Sequence, residues 1–299
     1  MTLTAYLAAD GFLDQLVAEL GDIDAVHGRL VLKSGPPVPA AWAQNAWFDV
    51  QRIAIDSIAD AAAKLRAVQR NWALYAFHLH RRAALIEAKL PVVRPKPLVF
   101  PQPAPTAPLG SWTLLEERTV LAAARCASPF RHGEARFVED KAAPPNRAYL
   151  KLWEALTLAG AYPASGDLCL DLGASPGGWT WVLQGLGARV VAVDKAPLDP
   201  RIAALPGVEA RRESAFALDP AALGPVDWLC CDVVCYPSRL LGLVRRWLDA
   251  GRARNFVCTL KFQGPTDHAT AREFAAIPGS RLLHLFHNKH ELTWIRLAD

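Results

Sequence analysis

The chain has 299 residues, of which 52% are hydrophobic and 21% carry a charge. Because a usual single domain has about 100 to 200 residues, we expect two domains with substantial cores. The net charge of +4 is too small to indicate nucleic-acid binding by itself. The high apolar content excludes extended disorder outside linkers.

The first ninety residues show the pattern of a small α+β domain. Strand candidates lie at residues 3–8, 25–32, 47–55 and 72–79, and helix candidates lie at residues 11–20 and 58–69, with a short last helix ending at Leu90. The order β-α-β-β-α-β is that of a ferredoxin-like unit. We therefore predict an N-terminal α+β domain over residues 1–90, a candidate for RNA binding.

Residues 91–112 are predicted to be a linker, since seven prolines fall between residues 91 and 108. Residues 97–115 are uncharged and long enough to cross a membrane, but five of these prolines exclude a regular helix there. No basic segment precedes an apolar one at the N-terminus, so no secretory signal is expected. The protein is accordingly predicted to be cytoplasmic, without a membrane partner.

Residues 113–299 are predicted to form an α/β domain with a mostly parallel sheet. A helix is expected at residues 148–159, before the first strand of this sheet. The last two strands are separated by only a few residues and should be antiparallel. The expected strands lie near residues 168–172, 189–193, 207–211, 226–231, 255–260, 281–286 and 291–297.

Residues 171–180, DLGASPGGWT, connect the first of these strands to a helix, and we call them the glycine loop. Gly173, Gly177 and Gly178 permit positive φ and close approach of a ligand, while Pro176 fixes one φ. The amides at the start of the following helix can receive a carboxylate. The loop therefore predicts a site for a ligand with a carboxylate end.

Asp194 ends the next strand, where a carboxylate can accept hydrogen bonds from a ribose diol. The phosphate-binding pattern GxGxxG is absent, because the loop contains GASPGG, and NAD is disfavoured. A carboxylate receptor and a ribose acceptor together predict an S-adenosylmethionine site.

Four polar residues fall at strand ends or on the preceding helix: Lys151, Asp232, Lys261 and Glu291. Because the carboxyl ends of parallel strands line one crevice, Asp232 and Lys261 should converge. The four resemble the Lys-Asp-Lys-Glu tetrad of FtsJ-like ribose 2'-O-methyltransferases. The strings NRAYLKLWEAL, DLGASPGGWT, VDWLCCD and TLK are similar to those of the RlmM type, over about residues 120–299.

The resemblance implies a Rossmann-like methyltransferase sheet, S-adenosylmethionine as cofactor and RNA as partner, with a cytidine ribose of 23S ribosomal RNA as target. RlmM-type proteins carry a ferredoxin-like segment and a THUMP RNA-binding domain before the catalytic domain, and the region before residue 113 is too short for both. Ser214 stands where the family usually has an acid near the adenine. The implied cofactor-binding residues are Ala148, Asp171, Gly173, Ser175, Pro176, Gly177, Gly178, Trp179, Asp194, Ser214 and Asp232.

The expected chemistry needs a base, because a ribose hydroxyl is a poor nucleophile toward an activated methyl group. Lys261 is the predicted base. The nearby cation Lys151 would lower its pKa. Asp232 and Glu291 oppose that shift but can hold both ammonium groups by hydrogen bonds.

Other polar clusters admit two interpretations. Six basic residues between positions 237 and 262, against Asp249 alone, either bind phosphates or form a solvated helix face. His287 and His290 have a spacing that could bind a metal, but without a third ligand they are expected to be surface residues. The six cysteines lack CxxC spacing and are expected to be buried thiols, so no metal site is predicted.

Two other functions stay open from the sequence. The chain could methylate a small molecule or a protein, or it could be a noncatalytic RNA-binding module. The oligomeric state also stays open.

Overall fold

The computed structural model describes residues 2–298, which are divided between two compact units. The first unit extends to Leu98 and also contains Ala104–Arg136, and the second contains Val99–Pro103 and the chain from Phe137 onward. Over residues 2–298, every helix is too short or too polar to cross a membrane.

The first unit contains two sheets with the strand orders β2-β3-β1-β4-β9 and β5-β8-β7-β6. Its helices and strands are β1 (Leu3–Ala8), α1 (Leu13–Leu20), β2 (Ala25–His27), β3 (Leu30–Ser34), β4 (Ala43–Phe48), β5 (Gln51–Ala54), α2 (Ile58–Val68), β6 (Trp72–Leu74), α3 (His80–Glu87), β7 (Gly110–Glu116), β8 (Thr119–Ala123) and β9 (Arg125–Cys126).

The predicted small α+β domain is confirmed, but its strands do not form one ferredoxin-like sheet. The strand expected at residues 25–32 is a hairpin that turns at Gly28, where φ is +62°. The strand expected at residues 47–55 is broken at Asp49, where φ is +54°. The two halves of this segment, β4 and β5, therefore enter different sheets.

The boundary between the two units also differs from the predicted one. The hairpin β7–β8 begins at Gly110, in the last residues of the predicted linker, and β8 pairs with β5 while β7 pairs with β6. Trp112 and Val120 on this hairpin are fully buried in the core of the first unit. Because these pairings join the hairpin to the N-terminal strands, residues 113–136 belong to the first unit rather than to the predicted α/β domain.

The second unit contains a seven-stranded sheet with the order β12-β11-β10-β13-β14-β16-β15, confirming the predicted α/β fold. Its last long strand, β16, is antiparallel to both neighbours. The elements are α4 (Tyr149–Ala159), β10 (Leu168–Leu172), α5 (Gly178–Gly185), β11 (Arg189–Asp194), α6 (Pro200–Ala203), β12 (Val208–Arg212), α7 (Pro220–Leu223), β13 (Val226–Cys231), α8 (Pro237–Asp249), β14 (Ala253–Lys261), α9 (His268–Ala275), β15 (Ser280–Leu283) and β16 (Glu291–Arg296).

Helix α4 is buried on all sides, since every residue from Tyr149 to Thr157 is buried. Most of these side chains are apolar, as expected for a helix inside a core. Lys151 and Glu154 are the charged residues among them. Because a buried charge is costly without a partner, Lys151 needs anions or hydrogen-bond acceptors and Glu154 needs cations or hydrogen-bond donors.

Candidate active site

The four predicted catalytic side chains meet at the carboxyl edge of the seven-stranded sheet. Asp232 directly follows β13, Lys261 ends β14, and Lys151 lies in the first turn of α4. Glu291 is the first residue of β16 and pairs directly with Lys261 across the two strands. The reversed direction of β16 is what brings its first residue to this edge.

The carboxylate of Asp232 lies between the two lysines. Its Oδ1 is 2.9 Å from Nζ of Lys151 and 3.1 Å from Nζ of Lys261. Lys151 also lies 3.1 Å from Oε1 of Glu291, and Lys261 donates to the backbone oxygen of Asp232 at 2.6 Å. The four residues therefore form one connected network.

The two lysines differ in their surroundings. The side chain of Lys151 is 9% exposed and that of Lys261 is 19% exposed. Burial, the largest influence, lowers the pKa of Lys151, but the charges of Asp232 and Glu291 outweigh it and the pKa is raised overall. Lys151 thus stays a cation, while Lys261 faces an open cavity.

This cavity, of about 480 Å³, lies beside the tetrad at the ends of β10, β11 and β13. Five of the residues predicted to bind cofactor line it: Gly173, Ser175, Asp194, Ser214 and Asp232. Lys261 lines it as well, so the predicted base and the predicted cofactor residues border one space.

Asp194 is held in place by the backbone of the glycine loop and of its own turn. Its Oδ2 accepts from the amide of Ser175 at 3.1 Å, and its Oδ1 accepts from the amide of Ala196 at 2.9 Å. Each carboxylate oxygen has more than one lone pair, so the carboxylate is fixed and can still accept from a ligand in the cavity.

The remaining predicted cofactor residues lie outside the cavity lining and shape the glycine loop. The indole nitrogen of Trp179 donates to the backbone oxygen of Ala148 at 2.9 Å, which joins the loop to the start of α4. A side chain at Gly177 would collide with Ile202, and one at Gly178 would collide with Asn146. Pro176 follows a cis peptide bond. These residues thus act on the shape of the loop.

Several residues that line the cavity were not predicted from the sequence. Glu213 lines the cavity immediately before Ser214, so an acid is present one position away from the expected one. Phe216 lines it too, with the guanidinium of Arg239 at 3.9 Å from its ring centroid. The acid could have been found by allowing a shift of one residue at the end of β12.

The basic cluster predicted between residues 237 and 262 is not one surface. Arg245 pairs with Glu273 at 2.8 Å, and Arg246 donates to the backbone oxygen of Phe216 at 3.1 Å. Arg252 precedes β14 whereas Lys261 ends it, a separation of roughly 30 Å at about 3.3 Å per strand residue. Only Arg239 and Lys261 of the cluster border the cavity.

A comparison with known families gives a match within the second unit. Residues 144–253 match the family described as FtsJ-like methyltransferase. The matched segment contains Lys151, the glycine loop, Asp194 and Asp232, while Lys261 and Glu291 lie beyond it.

Curated relatives are similar over about half of the chain. Ribosomal RNA large subunit methyltransferase M from Halorhodospira halophila is 39% identical over 157 residues, covering 50% of this chain and 46% of the relative. The protein of the same name from Alkalilimnicola ehrlichii is 37% identical over 186 residues, covering 58% and 51%. The chain thus matches about half the length of these relatives. TrmN from Thermus thermophilus is 16% identical, with a TM-score of 0.38, covering 99% of this chain and 100% of that one.

FtsJ-like methyltransferases use S-adenosylmethionine, and residues of the matched segment fit this cofactor. Asp194 offers a fixed acceptor for a ribose, and Gly173 allows a ligand to approach the backbone. Asp171 is fully buried two residues before Gly173, and its Oδ1 has no hydrogen-bond partner among residues 2–298. An unpaired buried carboxylate oxygen favours a cationic or donor group nearby, such as the amino group of the methionine part.

Asp171 should make the stability of the second unit depend on pH. Burial is the main cause that raises its pKa to about 7. Since the unfolded pKa is lower, the folded state binds more protons between about pH 4 and pH 7, and the free energy of unfolding falls as pH rises through this range. The loss should reach up to about 4 kcal/mol. Urea unfolding at several pH values measures it.

In Asp171→Asn this fall should be absent, because the amide does not ionise while its oxygen can still accept from Thr180. The matched control is Asp167→Asn, at the half-buried position directly before β10, which should keep the wild-type pH dependence. An unchanged pH dependence in Asp171→Asn would contradict the raised pKa.

Proposed function

We propose that the protein is an S-adenosylmethionine-dependent RNA ribose 2'-O-methyltransferase that acts on ribosomal RNA, with a cytidine of 23S ribosomal RNA as target. The observation that carries the proposal is the contact of Lys151, Asp232, Lys261 and Glu291 at the border of the cavity. The names of the curated relatives support the ribosomal RNA substrate.

In the proposed reaction, S-adenosylmethionine supplies an activated methyl group. In the active enzyme, Lys261 would accept the proton of the ribose hydroxyl at Nζ. Lys261 is suited to this role because it is the more exposed lysine of the tetrad and lines the cavity.

The other three residues hold Lys261 in position. Asp232 contacts Lys261 through its carboxylate and its backbone oxygen. Lys151 contacts the same carboxylate oxygen, Oδ1 of Asp232. Glu291 neutralises Lys151 from the other side. In this proposal Lys151, Asp232 and Glu291 orient the base.

Lys261→Ala should abolish methylation of RNA while leaving binding of S-adenosylmethionine unchanged. Loss of a general base lowers the rate by about 10² to 10⁴-fold, and the cofactor contacts at Asp194 and Gly173 remain. Transfer of a labelled methyl group measures activity, and calorimetry measures binding. Lys141→Ala, at an exposed lysine, is the matched control. Normal turnover by Lys261→Ala would disprove the assignment of the base.

Glu213 is proposed to take the role of the acid near the adenine. Glu213→Gln should weaken S-adenosylmethionine binding by roughly tenfold, since a hydrogen bond to a charged group contributes about 1.5 kcal/mol or more. Glu209→Gln, on the exposed part of β12, is the control and should bind as the wild type does. Equal affinity of all three proteins, measured by calorimetry, would exclude the role of Glu213.

The first unit is proposed to bind RNA. A ribosomal RNA substrate would place the protein in the cytoplasm. Mapping of 2'-O-methyl groups in ribosomal RNA from cells with and without the protein tests the substrate. A missing methyl group at one cytidine supports the proposal, and identical maps would refute it.

A further inference from the structure

We propose that Glu154 and His287 are positioning residues that set the contact between Lys151 and Glu291. The inference rests on the proposed function, because it assigns a second pair of residues to the same tetrad. It also explains His287, which the sequence predicted to be a surface residue.

Glu154 is a carboxylate that is only 1% exposed, and three donors of one loop satisfy it. The amide of Phe286 donates to Oε1 at 2.8 Å, and the amide of His287 donates to Oε2 at 3.1 Å. Nδ1 of His287 lies 2.7 Å from Oε2, and facing a carboxylate it acts as a donor. All three donors belong to the connection between β15 and β16.

Glu154 and His287 each lie close in sequence to a residue of the tetrad. Glu154 is three residues after Lys151 on α4, so the two side chains lie on neighbouring turns of one helix face. His287 is four residues before Glu291. The pairs Lys151–Glu291 and Glu154–His287 therefore join the same helix to the same loop at adjacent points.

The loop between the two contacts is itself held by hydrogen bonds. The side-chain amide of Asn288 donates to the backbone oxygen of Glu291 at 3.2 Å and to Oγ1 of Thr293 at 3.1 Å. The ring of Phe137 packs against the imidazole of His287, with 5.9 Å between ring centroids. Because the loop is fixed in this way, moving its anchor at Glu154 must also move Glu291.

The main test compares the wild type with Glu154→Gln. A glutamine has the size of glutamate but presents its NH₂ group to donors of the loop, which should push the loop away from α4. We expect kcat for RNA methylation to fall tenfold or more, with the dissociation constant of S-adenosylmethionine changed less than threefold. The pH dependence of kcat should also change, because Glu291 no longer supports the ammonium form of Lys151.

A second pair of variants keeps the test decisive if Glu154→Gln does not fold. His287→Ala removes the side-chain donor and should lower kcat by a smaller factor. His287→Asn supplies an amide donor close to the position of Nδ1 and should restore kcat to near the wild-type value. Equal activity of the Ala and Asn variants would overturn the role of the side-chain contact.

The matched control is Arg281→Ala. Arg281 donates to the backbone oxygen of Leu158 at 3.1 Å, so it joins β15 to the far end of α4 without touching the loop. It should leave kcat and its pH dependence unchanged. A loss equal to that of Glu154→Gln would show a general structural effect and overturn the inference.

One readout needs no methyltransferase activity. The pKa of Lys151, followed by NMR of labelled lysine side chains in the full chain, should be lower in Glu154→Gln than in the wild type, because Glu291 raises it. A folded Glu154→Gln protein with unchanged Lys151 titration and unchanged kcat would overturn the inference and leave the proposed function intact. If the pKa of Lys151 is lower in Glu154→Gln but the wild type is inactive on RNA, the proposed function alone is refuted and the positioning role is supported.

Discussion

The site depends on one carboxylate oxygen, Oδ1 of Asp232, that contacts two ammonium groups at once. The two lysine ammonium groups repel each other, and both side chains are largely buried. The carboxylates of Asp232 and Glu291 match their charge, so the four side chains are neutral as a set. Removing one member from a buried ion network leaves an uncompensated charge, at a cost of about 3 to 5 kcal/mol. The tetrad is thus held together by its own electrostatics as well as by the sheet.

The direction of β16 makes this balance possible. In a parallel strand the first residue lies at the amino edge of the sheet, away from the ligand crevice. Because β16 runs antiparallel to β14, its first residue Glu291 pairs with the last residue Lys261. The reversed direction of β16 therefore places the carboxylate of Glu291 at the carboxyl edge of the sheet. In a fully parallel sheet, only the last residues of strands lie at that edge.

The predictions that succeeded depended on local patterns. The strands of the second unit alternate with helices, and the end of each strand could be located within a few residues, which was sufficient to bring Asp232 and Lys261 together. Predictions failed where pairing is non-local. Nothing in residues 110–123 alone shows that they pair with β5 and β6, and a single positive φ at Asp49 redirects the chain into another sheet.

Burial carries information about function that strand ends do not. In the string YLKLWEAL, Lys151 and Glu154 stand among apolar residues of a helix that is buried on all sides. Such a helix cannot leave either charge in water, so each charged side chain must contact a partner from another element. Polar residues at the carboxyl ends of strands can be located from the sequence, but they are partners of Lys151 only. The partners of Glu154 are two backbone amides and an imidazole in the loop before β16, and none of them lies at the end of a strand. A charge inside an apolar helix, one turn from a residue of the tetrad, therefore indicates which residues hold the tetrad in place.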